Sequence, residues 1–571
     1  MIKKKIERLR KELVARGYYG YIVPCNDEYM SEYTPTYAQR LKYITGFTGS
    51  NGLAIILPKT TLFFTDGRYI KQAQTQLDSK EFEVHNQNEL LNFNWRPYVN
   101  SDSKIAFDPK LFTHTKYQLF EKLNLTSELD NLIDIIWDSK PQESSSTIYN
   151  YPVKYSGQSR EHKIKQCREF IKNNGASALF ISDPASVCWL LNIRASDVEF
   201  TPILLANSLI TKDNVYVFAD QKRIESGFIL DQIKFISKDS LQKMFDNIKG
   251  KIIYDKTETS LYTSLLIKAK DHICMNSPCL MWKAKKNSVE IEFAKRGHIE
   301  DAVAVCETLA FLEKNDISNM TEYDVGEMLQ KNRSKRPGYV SESFPAICGF
   351  QENGAIIHYK AEKSTAKNLS GNGLLLIDSG GQYWGSTTDI TRTIPIGKAT
   401  PEHIKSYTLV LKGHIALACA KFPENKVFGS HLDVLARQYL WKNHQDYAHG
   451  TGHGVGSFLS VHEGPQSISL GSGRGVLSSG MILSNEPGYY VENNFGIRIE
   501  NLVYIKQEDY GYLSFDNLTL VPYEKRLIDF SMLNNDEIMY LKNYNKKIRL
   551  SLLELLSQEA KDWLQKQTDY T

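Results

Sequence analysis

The sequence predicts a protein of several domains, with α/β domains in its first half and an α+β domain rich in strand hairpins in its second. The chain has 571 residues, which is more than one ordinary domain holds. A helix, a glycine and an apolar strand follow one another near the N-terminus, and the same order returns after residue 160. Beyond residue 370, apolar strands alternate with glycine-containing turns, which is typical of hairpins.

The repeat in the first half predicts two related α/β domains. The helical "ERLRKELVARG" leads into the strand "YGYIVP", and "EHKIKQCREFIKNNG" leads into "ASALFIS". The Pro- and Ser-rich "DSKPQESSS" between the copies predicts a linker. A long helix with Ser288 as its N-cap opens the last region, and a helical C-terminal extension ends it in a packing or dimer surface. The predicted domains are 1–155, 156–300 and 301–571.

The composition excludes several classes of protein. Lysine and arginine number 69 against 66 acidic residues, and the net charge of +3 argues against a nucleic-acid or membrane-surface protein. No apolar run has the length of a membrane span, and the N-terminus lacks the apolar stretch of a signal peptide. Eight cysteines without a C-x-x-C pair predict reduced thiols and a cytoplasmic location.

The stretch "AHGTGHGVG" places His449 and His453 four residues apart among four glycines. Glycine is unfavourable inside a helix, so these histidines are not expected to share a helical face as a zinc pair would. Glycine suits positions where the backbone approaches another group closely. The pattern therefore predicts a backbone pressed against a site, with imidazoles directed into it.

Four carboxylates stand at the ends of predicted strands in the last region. Asp378 closes one predicted strand and Asp389 opens the next, so that in a hairpin the two can face each other across the strands. Glu486, before a Pro-Gly turn, and Glu500, in the strand "IRIENLVYI", flank another predicted hairpin. Each alone has an ordinary explanation, as a turn residue or a solvent-facing side chain. Four such groups and His453 together indicate a buried site, where carboxylates need positive partners. Two divalent cations would supply them, and oxygen-rich ligation with one imidazole suits Mn²⁺, Co²⁺ or Fe²⁺ better than a thiolate-type zinc site.

The local motifs resemble those of the pita-bread metallopeptidases. The matching stretches are "IDSGGQYWGSTTDITRT", "HGTGHGVG", "VHEGP", "SNEPGYY" and "GIRIENL". Within that superfamily the chain is most similar to the long, three-domain, cytosolic aminopeptidases P. This similarity extends to "SEYTPTYAQRLKYITGFTGSNG" and "FTDGRY" in the first domain, "WLLNIRASDVEFTP" in the second and "LTLVPYEKRLID" near the end.

The resemblance implies two creatinase-like α/β domains followed by a pita-bread catalytic domain that forms a homodimer. It implies two divalent metal ions, usually Mn²⁺, with Co²⁺, Fe²⁺ and Zn²⁺ as alternatives. The implied ligands are Asp378, Asp389, His453, Glu486 and Glu500. The implied activity is release of the N-terminal residue from peptides whose second residue is proline.

The resemblance also implies roles for residues around the metal ions. Glu486 is the candidate proton shuttle for the attacking water. The candidate substrate contacts are His358, His449 and His462, which would hydrogen-bond the scissile carbonyl or the developing oxyanion. Without the resemblance, each would be interpreted as an ordinary core or surface histidine. Arg498 stands two residues before Glu500, so on a strand it would point the same way and orient a ligand carboxylate.

Arg68, in "FTDGRY", resembles a substrate-contacting arginine that reaches into the cleft of a neighbouring subunit, although the same letters also suit an ordinary turn. Proline has no N–H and a fixed φ, so a proline-specific peptidase needs an apolar site for the ring. The aromatic residues Tyr489 and Phe344 are candidate walls of that site.

Two other functions share these motifs. A prolidase has the same five ligands and cleaves dipeptides, but its usual single N-terminal domain does not account for the doubled first half. A non-catalytic, peptidase-like binding module is the second alternative. Such modules lose the ligands and carry acidic tails, and this sequence has all five ligands and no acidic tail. Creatinase keeps the fold but not the metal ligands, so the five ligands in this sequence argue against it as well.

Overall fold

A computed structural model describes residues 1–226, 232–471 and 475–570, and its contacts divide the chain into two compact units. The first unit consists of Met1–Tyr151 and Gln158–Cys279. The second consists of Pro152–Gly157 and Leu280–Thr571. In the described part of the chain, we find no helix that combines the length and the apolar character needed to cross a membrane.

The first unit contains two six-stranded sheets with the same strand order, which confirms the repeat. The first sheet, from edge to edge, has the strands Phe82–Asn86, Thr61–Thr65, Leu53–Ile56, Gly20–Pro24, Lys104–Phe107 and Asn124–Ser127. The second has Ile233–Ile236, Val215–Phe218, Ser208–Thr211, Ala178–Ile181, Ile252–Tyr254 and His272–Cys274. Equivalent neighbours pair in the same sense: the third strand of each sheet is antiparallel to both its neighbours, and the other pairings are parallel.

Helices accompany both sheets. They span Ile2–Ala15, Arg40–Thr45, Ile70–Gln76, His114–Gln118, Leu132–Ile136, Arg160–Asn173, Pro184–Leu191, Leu241–Asp246 and Leu261–Lys268. The first helix buries Ile6, Leu9 and Leu13, the apolar stripe that the helical period predicts. Apolar side chains on the strands fill the core on both faces of the first sheet.

The second unit is built from short antiparallel sheets. One three-stranded sheet contains Tyr339–Glu342, Gly381–Tyr383 and Ser386–Thr387, and another contains Ile347–Phe350, Gly373–Ser379 and Ile390–Ile396. A six-stranded sheet contains Lys421–Pro423, Tyr512–Asn517, Asn501–Gln507, Ile482–Asn485, Gly452–Gly454 and Glu463–Ile468. The hairpin Gly488–Val491 and Phe495–Arg498 stands between strands of the six-stranded sheet in sequence.

Long helices surround these sheets. They span Ser288–Lys314, Glu322–Ser334, Pro401–Ala418, Gly429–Trp441, Asn535–Leu552 and Gln558–Thr568. The N-cap of the first is Asn287 and not Ser288, because the Asn287 side chain accepts from the Val289 and Glu290 amides while the Glu290 carboxylate accepts from the Asn287 amide. The predicted boundary near residue 300 falls inside this continuous helix, and the division into three domains remains a prediction.

The first carboxylate hairpin differs from the prediction in its register. The strands Gly373–Ser379 and Ile390–Ile396 are antiparallel, but Asp378 stands opposite Thr391 and not opposite Asp389. The short strands Gly381–Tyr383 and Ser386–Thr387 intervene and pair with each other. The second hairpin has Glu486 before it and Glu500 after it, as predicted, but Glu500 lies in a break between the strands Phe495–Arg498 and Asn501–Gln507 and not within a strand.

The C-terminal helices pack on the core of the second unit and contribute apolar side chains to it, including Leu552, Trp563 and Leu564. The Trp563 indole also donates a hydrogen bond to Glu313 on the helix Ser288–Lys314, with 3.0 Å between Nε1 and Oε2. The extension is therefore part of the folded core of this unit.

Arg392 joins this C-terminal region to the strands that carry the acidic residues. Its guanidinium is fully buried and pairs with no carboxylate in the described part of the chain. It donates instead to the carbonyl oxygens of Glu500 (2.6 Å), Val521 (2.6 Å) and Pro522 (3.0 Å), and to Oδ1 of Asn501 (2.8 Å).

Candidate metal centre

Three of the predicted ligands converge in the second unit. Asp389, His453 and Glu500 each offer one ligand atom, and these atoms lie within 4.8 Å of one another. Both carboxylates are buried and the imidazole is half-buried. The three residues come from different parts of the sequence: the end of a hairpin turn, the strand Gly452–Gly454 and the break between Phe495–Arg498 and Asn501–Gln507.

The glycines around His453 allow neighbouring strands to approach. A Cβ atom on Gly452 would lie 2.1 Å from the Ser484 carbonyl oxygen. On Gly454 it would lie 2.3 Å from the Glu463 carbonyl oxygen. The sequence predicted that the backbone at these glycines approaches another group closely. At Gly452 and Gly454 that group is the backbone of a neighbouring strand. His453 is on a strand, so the prediction that the two histidines do not share a helix is confirmed.

The imidazole of His453 is oriented by the backbone of the next residue. Its Nδ1 donates to the Gly454 carbonyl at 2.9 Å, which leaves Nε2 as the atom that faces the carboxylates. Nε2 lies 3.5 Å from Oδ2 of Asp389 and 3.5 Å from Oε1 of Glu486. Burial lowers the pKa of His453, but hydrogen bonding to Asp389 and the charges of Glu486 and Asp389 outweigh it and raise the pKa to about 9. The site therefore attracts a positive charge at this nitrogen.

The pKa values of the carboxylates also indicate that the site favours a positive charge. Burial, followed by the charges of Asp378 and Glu486, raises the pKa of Asp389 to about 6. Burial and the charge of Asp389 raise the pKa of Glu500 well above its usual range. Among the described residues, Oδ1 of Asp378 and Oδ1 of Asp389 are buried and have no hydrogen-bond partner. Hard oxygen atoms of this kind, with one imidazole nitrogen, fit divalent cations.

Arg498 contacts one of these carboxylates directly. Its Nη2 donates to Oδ2 of Asp378 at 2.5 Å, and its Nε donates to Oγ1 of Thr391 at 3.2 Å. Thr391 in turn donates to Oε2 of Glu500 at 2.7 Å. One buried guanidinium is thus connected to two of the acidic residues, directly to Asp378 and through Thr391 to Glu500.

A second chain of hydrogen bonds links Arg498 to His449. The Tyr490 hydroxyl accepts from Nη1 of Arg498 at 2.7 Å and lies 2.9 Å from Nε2 of His449. Nδ1 of His449 donates to the Gly450 carbonyl at 2.8 Å, so Nε2 accepts from the tyrosine hydroxyl. Tyr490 was not identified from the sequence, because an aromatic residue in a hairpin gives no local signal of such a contact.

Glu486 lies next to both histidines of the glycine-rich stretch. Its Oε1 accepts from the Ser484 hydroxyl at 3.0 Å, and its Oε2 lies 4.0 Å from Nδ1 of His449. The ring of His462 stands edge-on to that of His453, with 4.3 Å between centroids. The residue after His462, Glu463, is buried between the ammonium groups of Lys283 and Lys286. Three other predicted ligands, Asp389, Glu486 and Glu500, thus lie around the imidazole of His453, with His462 against its ring.

The remaining candidates have other surroundings. His358 comes directly after Ile357, whose carbonyl oxygen accepts a hydrogen bond from Nη2 of Arg498 at 3.4 Å. Arg68 belongs to the first unit, where Asp66 accepts from its Nη2 at 2.8 Å and from its Nε at 3.0 Å. Phe344 is buried, and the Tyr489 ring packs against that of Phe495, with 6.3 Å between centroids.

Family models match the chain over nearly its whole length. The model described as metallopeptidase family M24 matches residues 293–507, and that for the C-terminal region of this peptidase matches 511–570. The creatinase/prolidase N-terminal domain matches twice, at 5–137 and at 139–290. The chain belongs to metallopeptidase family M24, in a form that carries creatinase/prolidase N-terminal domains.

Relatives within this family share the full length of the chain. "Xaa-Pro aminopeptidase 1" of Dictyostelium discoideum is 37% identical, over 99% of this chain and 96% of its own. A "Probable Xaa-Pro aminopeptidase P" of Laccaria bicolor is 33% identical, over 99% of this chain and 93% of its own. These similarities confirm the resemblance seen in the motifs.

A solved structure has the same fold. The X-prolyl aminopeptidase of Caenorhabditis elegans, described as a cytosolic enzyme with a di-nuclear active site, superimposes with a TM-score of 0.93 at 30% identity, and all of both chains is covered. The prolidase of Pyrococcus horikoshii reaches 0.53 at 22% identity over 64% of this chain and 99% of its own, a likeness of fold alone. The predicted fold class, two creatinase-like domains and a pita-bread domain, is confirmed.

Proposed function

We infer that this chain is an aminopeptidase that releases the N-terminal residue from peptides with proline in the second position. The observation that carries this proposal is the buried cluster of Asp389, His453 and Glu500, in a chain similar over its whole length to Xaa-Pro aminopeptidases. The doubled sheet of the first unit supports an aminopeptidase over a prolidase.

The proposed cofactor is a pair of divalent cations, with Mn²⁺ as the first candidate. Asp378, Asp389, His453, Glu486 and Glu500 would hold them, through the unpartnered oxygen atoms of the two aspartates and Nε2 of His453 among others. When bound, such ions lower the pKa of water and polarise the scissile carbonyl. The active site of the Caenorhabditis elegans enzyme is also described as di-nuclear.

The chain's own residues then have distinct tasks. Arg498 fixes the orientation of Asp378, and through Thr391 it supports that of Glu500. Glu486 accepts the proton of the attacking water, because its carboxylate is held by Ser484 beside the reacting centre.

The histidines would contact the substrate. His449 has its Nδ1 proton committed to the Gly450 carbonyl, and Tyr490 holds the other ring nitrogen, so the ring is held in one orientation beside Glu486. His462 and His358 would donate to the substrate carbonyl or the developing oxyanion. Tyr489 and Phe344 remain the candidates for the apolar wall.

Three further parts of the proposal concern the assembly and its location. We propose a homodimer, a cytoplasmic location, and contact of Arg68 with substrate bound to a neighbouring subunit. Light scattering of the purified chain measures its mass against the 65.3 kDa of one copy. An Arg68→Ala variant with an unchanged KM for a proline tripeptide would contradict the Arg68 contact.

The function is tested by hydrolysis of Arg-Pro-Pro and Arg-Ala-Ala after chelation, with and without added Mn²⁺. The expected result is cleavage of the proline peptide alone, restored by the metal. Equal cleavage of both peptides would contradict the proline specificity. Cleavage of the dipeptide Arg-Pro without cleavage of Arg-Pro-Pro would identify a prolidase, and no cleavage of any of them at saturating Mn²⁺ would favour a binding module.

A further inference from the structure

His358 lies in a long segment with little regular structure. Between the strands Ile347–Phe350 and Gly373–Ser379, the only helical element is the 3₁₀ turn Gln351–Ala355. Fixing such a segment costs conformational entropy at every residue, so a side chain on it keeps one orientation only if other groups hold the backbone. The question is which groups hold this one.

Glu322 is a buried carboxylate that lacks a cationic partner in the part of the chain that the structure describes. It is the first residue of the helix Glu322–Ser334 and is 0% exposed. We find no ion pair to it among the described residues, whereas buried glutamates are ordinarily paired with a positive side chain. Its charge is stabilised by hydrogen-bond donors and by its position at the positive end of a helix.

All of these donors come from the segment around His358. Oε1 accepts from the Phe350 amide at 2.6 Å and from Nδ2 of Asn353 at 3.0 Å. Oε2 accepts from the Tyr359 hydroxyl at 2.8 Å and from the Lys367 amide at 2.8 Å. One carboxylate therefore binds the start, the middle and the far part of the segment together.

His358 stands between two residues that are each hydrogen-bonded to a buried charged side chain. Its predecessor, Ile357, is held through its carbonyl by Arg498, and its successor, Tyr359, is held through its hydroxyl by Glu322. The backbone on both sides of the imidazole is thus connected to fixed groups. Arg498 is itself bonded to Asp378, so the position of His358 is connected to that of the acidic cluster.

Close backbone packing fixes the turn that precedes His358. A Cβ atom on Gly496 would lie 1.7 Å from the Gly354 carbonyl oxygen, so the turn lies directly against the strand Phe495–Arg498. A Cβ atom on Gly349 would lie 2.8 Å from atoms of Gly354. The turn is held by contact, and the residues beyond it by Glu322.

We propose that Glu322 is a positioning residue for His358: its carboxylate holds the segment 350–367 in the conformation that presents the imidazole to substrate. The proposal rests on the proposed function, in which His358 contacts the substrate. The groups described above that donate to Glu322 all lie in the segment 350–367, so Glu322 acts through Tyr359 and the backbone of the segment.

Two variants test the proposal, Tyr359→Phe and Glu322→Gln. Tyr359→Phe removes one donor and leaves the carboxylate with its other partners, whereas Glu322→Gln places an NH₂ group against atoms that are themselves donors. We expect both to raise deuterium uptake of peptides from 350–367 and to lower kcat/KM for Arg-Pro-Pro, by about tenfold for Tyr359→Phe. Combined with His358→Ala, Tyr359→Phe should cause no further loss of activity, because the two changes act through the same imidazole.

Tyr98→Phe is the matched control. It removes a tyrosine hydroxyl that donates to a glutamate, Glu83, at 2.7 Å in the other compact unit. Wild-type kcat/KM and wild-type uptake in Tyr359→Phe would overturn the proposal, as would an equal effect of Tyr98→Phe on both measurements. If Glu322→Gln does not fold, Tyr359→Phe decides. A wild-type chain that cleaves no proline peptide would remove the proposed function, and the uptake of 350–367 would still decide whether Glu322 holds the segment.

Discussion

His414 makes the stability of the second unit depend on pH. It lies on the helix Pro401–Ala418, is 0% exposed, and has its Nε2 3.0 Å from the Tyr523 hydroxyl. Burial, together with the charge of Arg392, lowers the pKa of His414 to about 3. In the unfolded chain the same imidazole titrates near 6.5.

The sign and size of the effect follow from these two values. At pH values between these two pKa values, His414 binds a proton in the unfolded chain but not in the folded chain. The free energy of unfolding therefore decreases as the pH falls. The contribution of His414 is fully present above about pH 6.5 and is lost progressively as the pH falls towards 3. Between about pH 8 and about pH 5 the loss is about 2 kcal/mol.

Urea unfolding of the wild type and of His414→Gln at a series of pH values measures this contribution. The variant cannot take up the proton, so the stability difference between the two chains should change by about 2 kcal/mol between about pH 8 and about pH 5. The same exchange at the exposed His162 should leave the difference unchanged, because solvent surrounds that ring in both states. A difference that is constant with pH for His414→Gln would refute the reasoning.

Three further predictions concern the candidate metal centre. Asp389→Ala should retain the wild-type circular dichroism and lack turnover of Arg-Pro-Pro, and any metal-dependent turnover that survives would contradict its assignment as a ligand. Gly452→Ala should lower the free energy of unfolding by about 1–3 kcal/mol, because the new Cβ would lie 2.1 Å from the Ser484 carbonyl oxygen, whereas Gly326→Ala, at an ordinary 3.6 Å contact, should not. Chelation should lower the thermal midpoint, and Mn²⁺ at about 100 times its dissociation constant should restore about 2.7 kcal/mol. A midpoint that is insensitive to both chelator and Mn²⁺ would count against a metal site.

The sequence predicted those parts of the site that short motifs encode. Asp378 and Asp389 bracket one hairpin, and Glu486 precedes another, because apolar runs and glycine turns mark strand ends locally. The glycines beside His453 indicated close packing, and the structure shows backbone atoms there. The strand register could not be predicted in this way. Thr391 and not Asp389 stands opposite Asp378, because the inserted short strands shift the pairing.

The supporting residues could not be found in this way. Tyr490 meets His449 across 41 positions of sequence, and Glu322 meets Tyr359 across 37. Neither residue type is unusual at its position, so only the folded chain shows that these groups meet. Ser288 was chosen as the helix cap on residue preference, and the reciprocal bonds of Asn287 and Glu290 decided otherwise.

The way Arg392 is bound has a consequence for any shortened version of the protein. Two of its acceptors, the carbonyls of Val521 and Pro522, precede the last two helices, and Tyr544 on the first of those helices caps the Val521 carbonyl as well. A cut ahead of residue 521 would strip a permanently charged group of partners in the interior, next to the carbonyl of Glu500. The residues from 521 onward are thus as necessary to the acidic cluster as the strands that carry it.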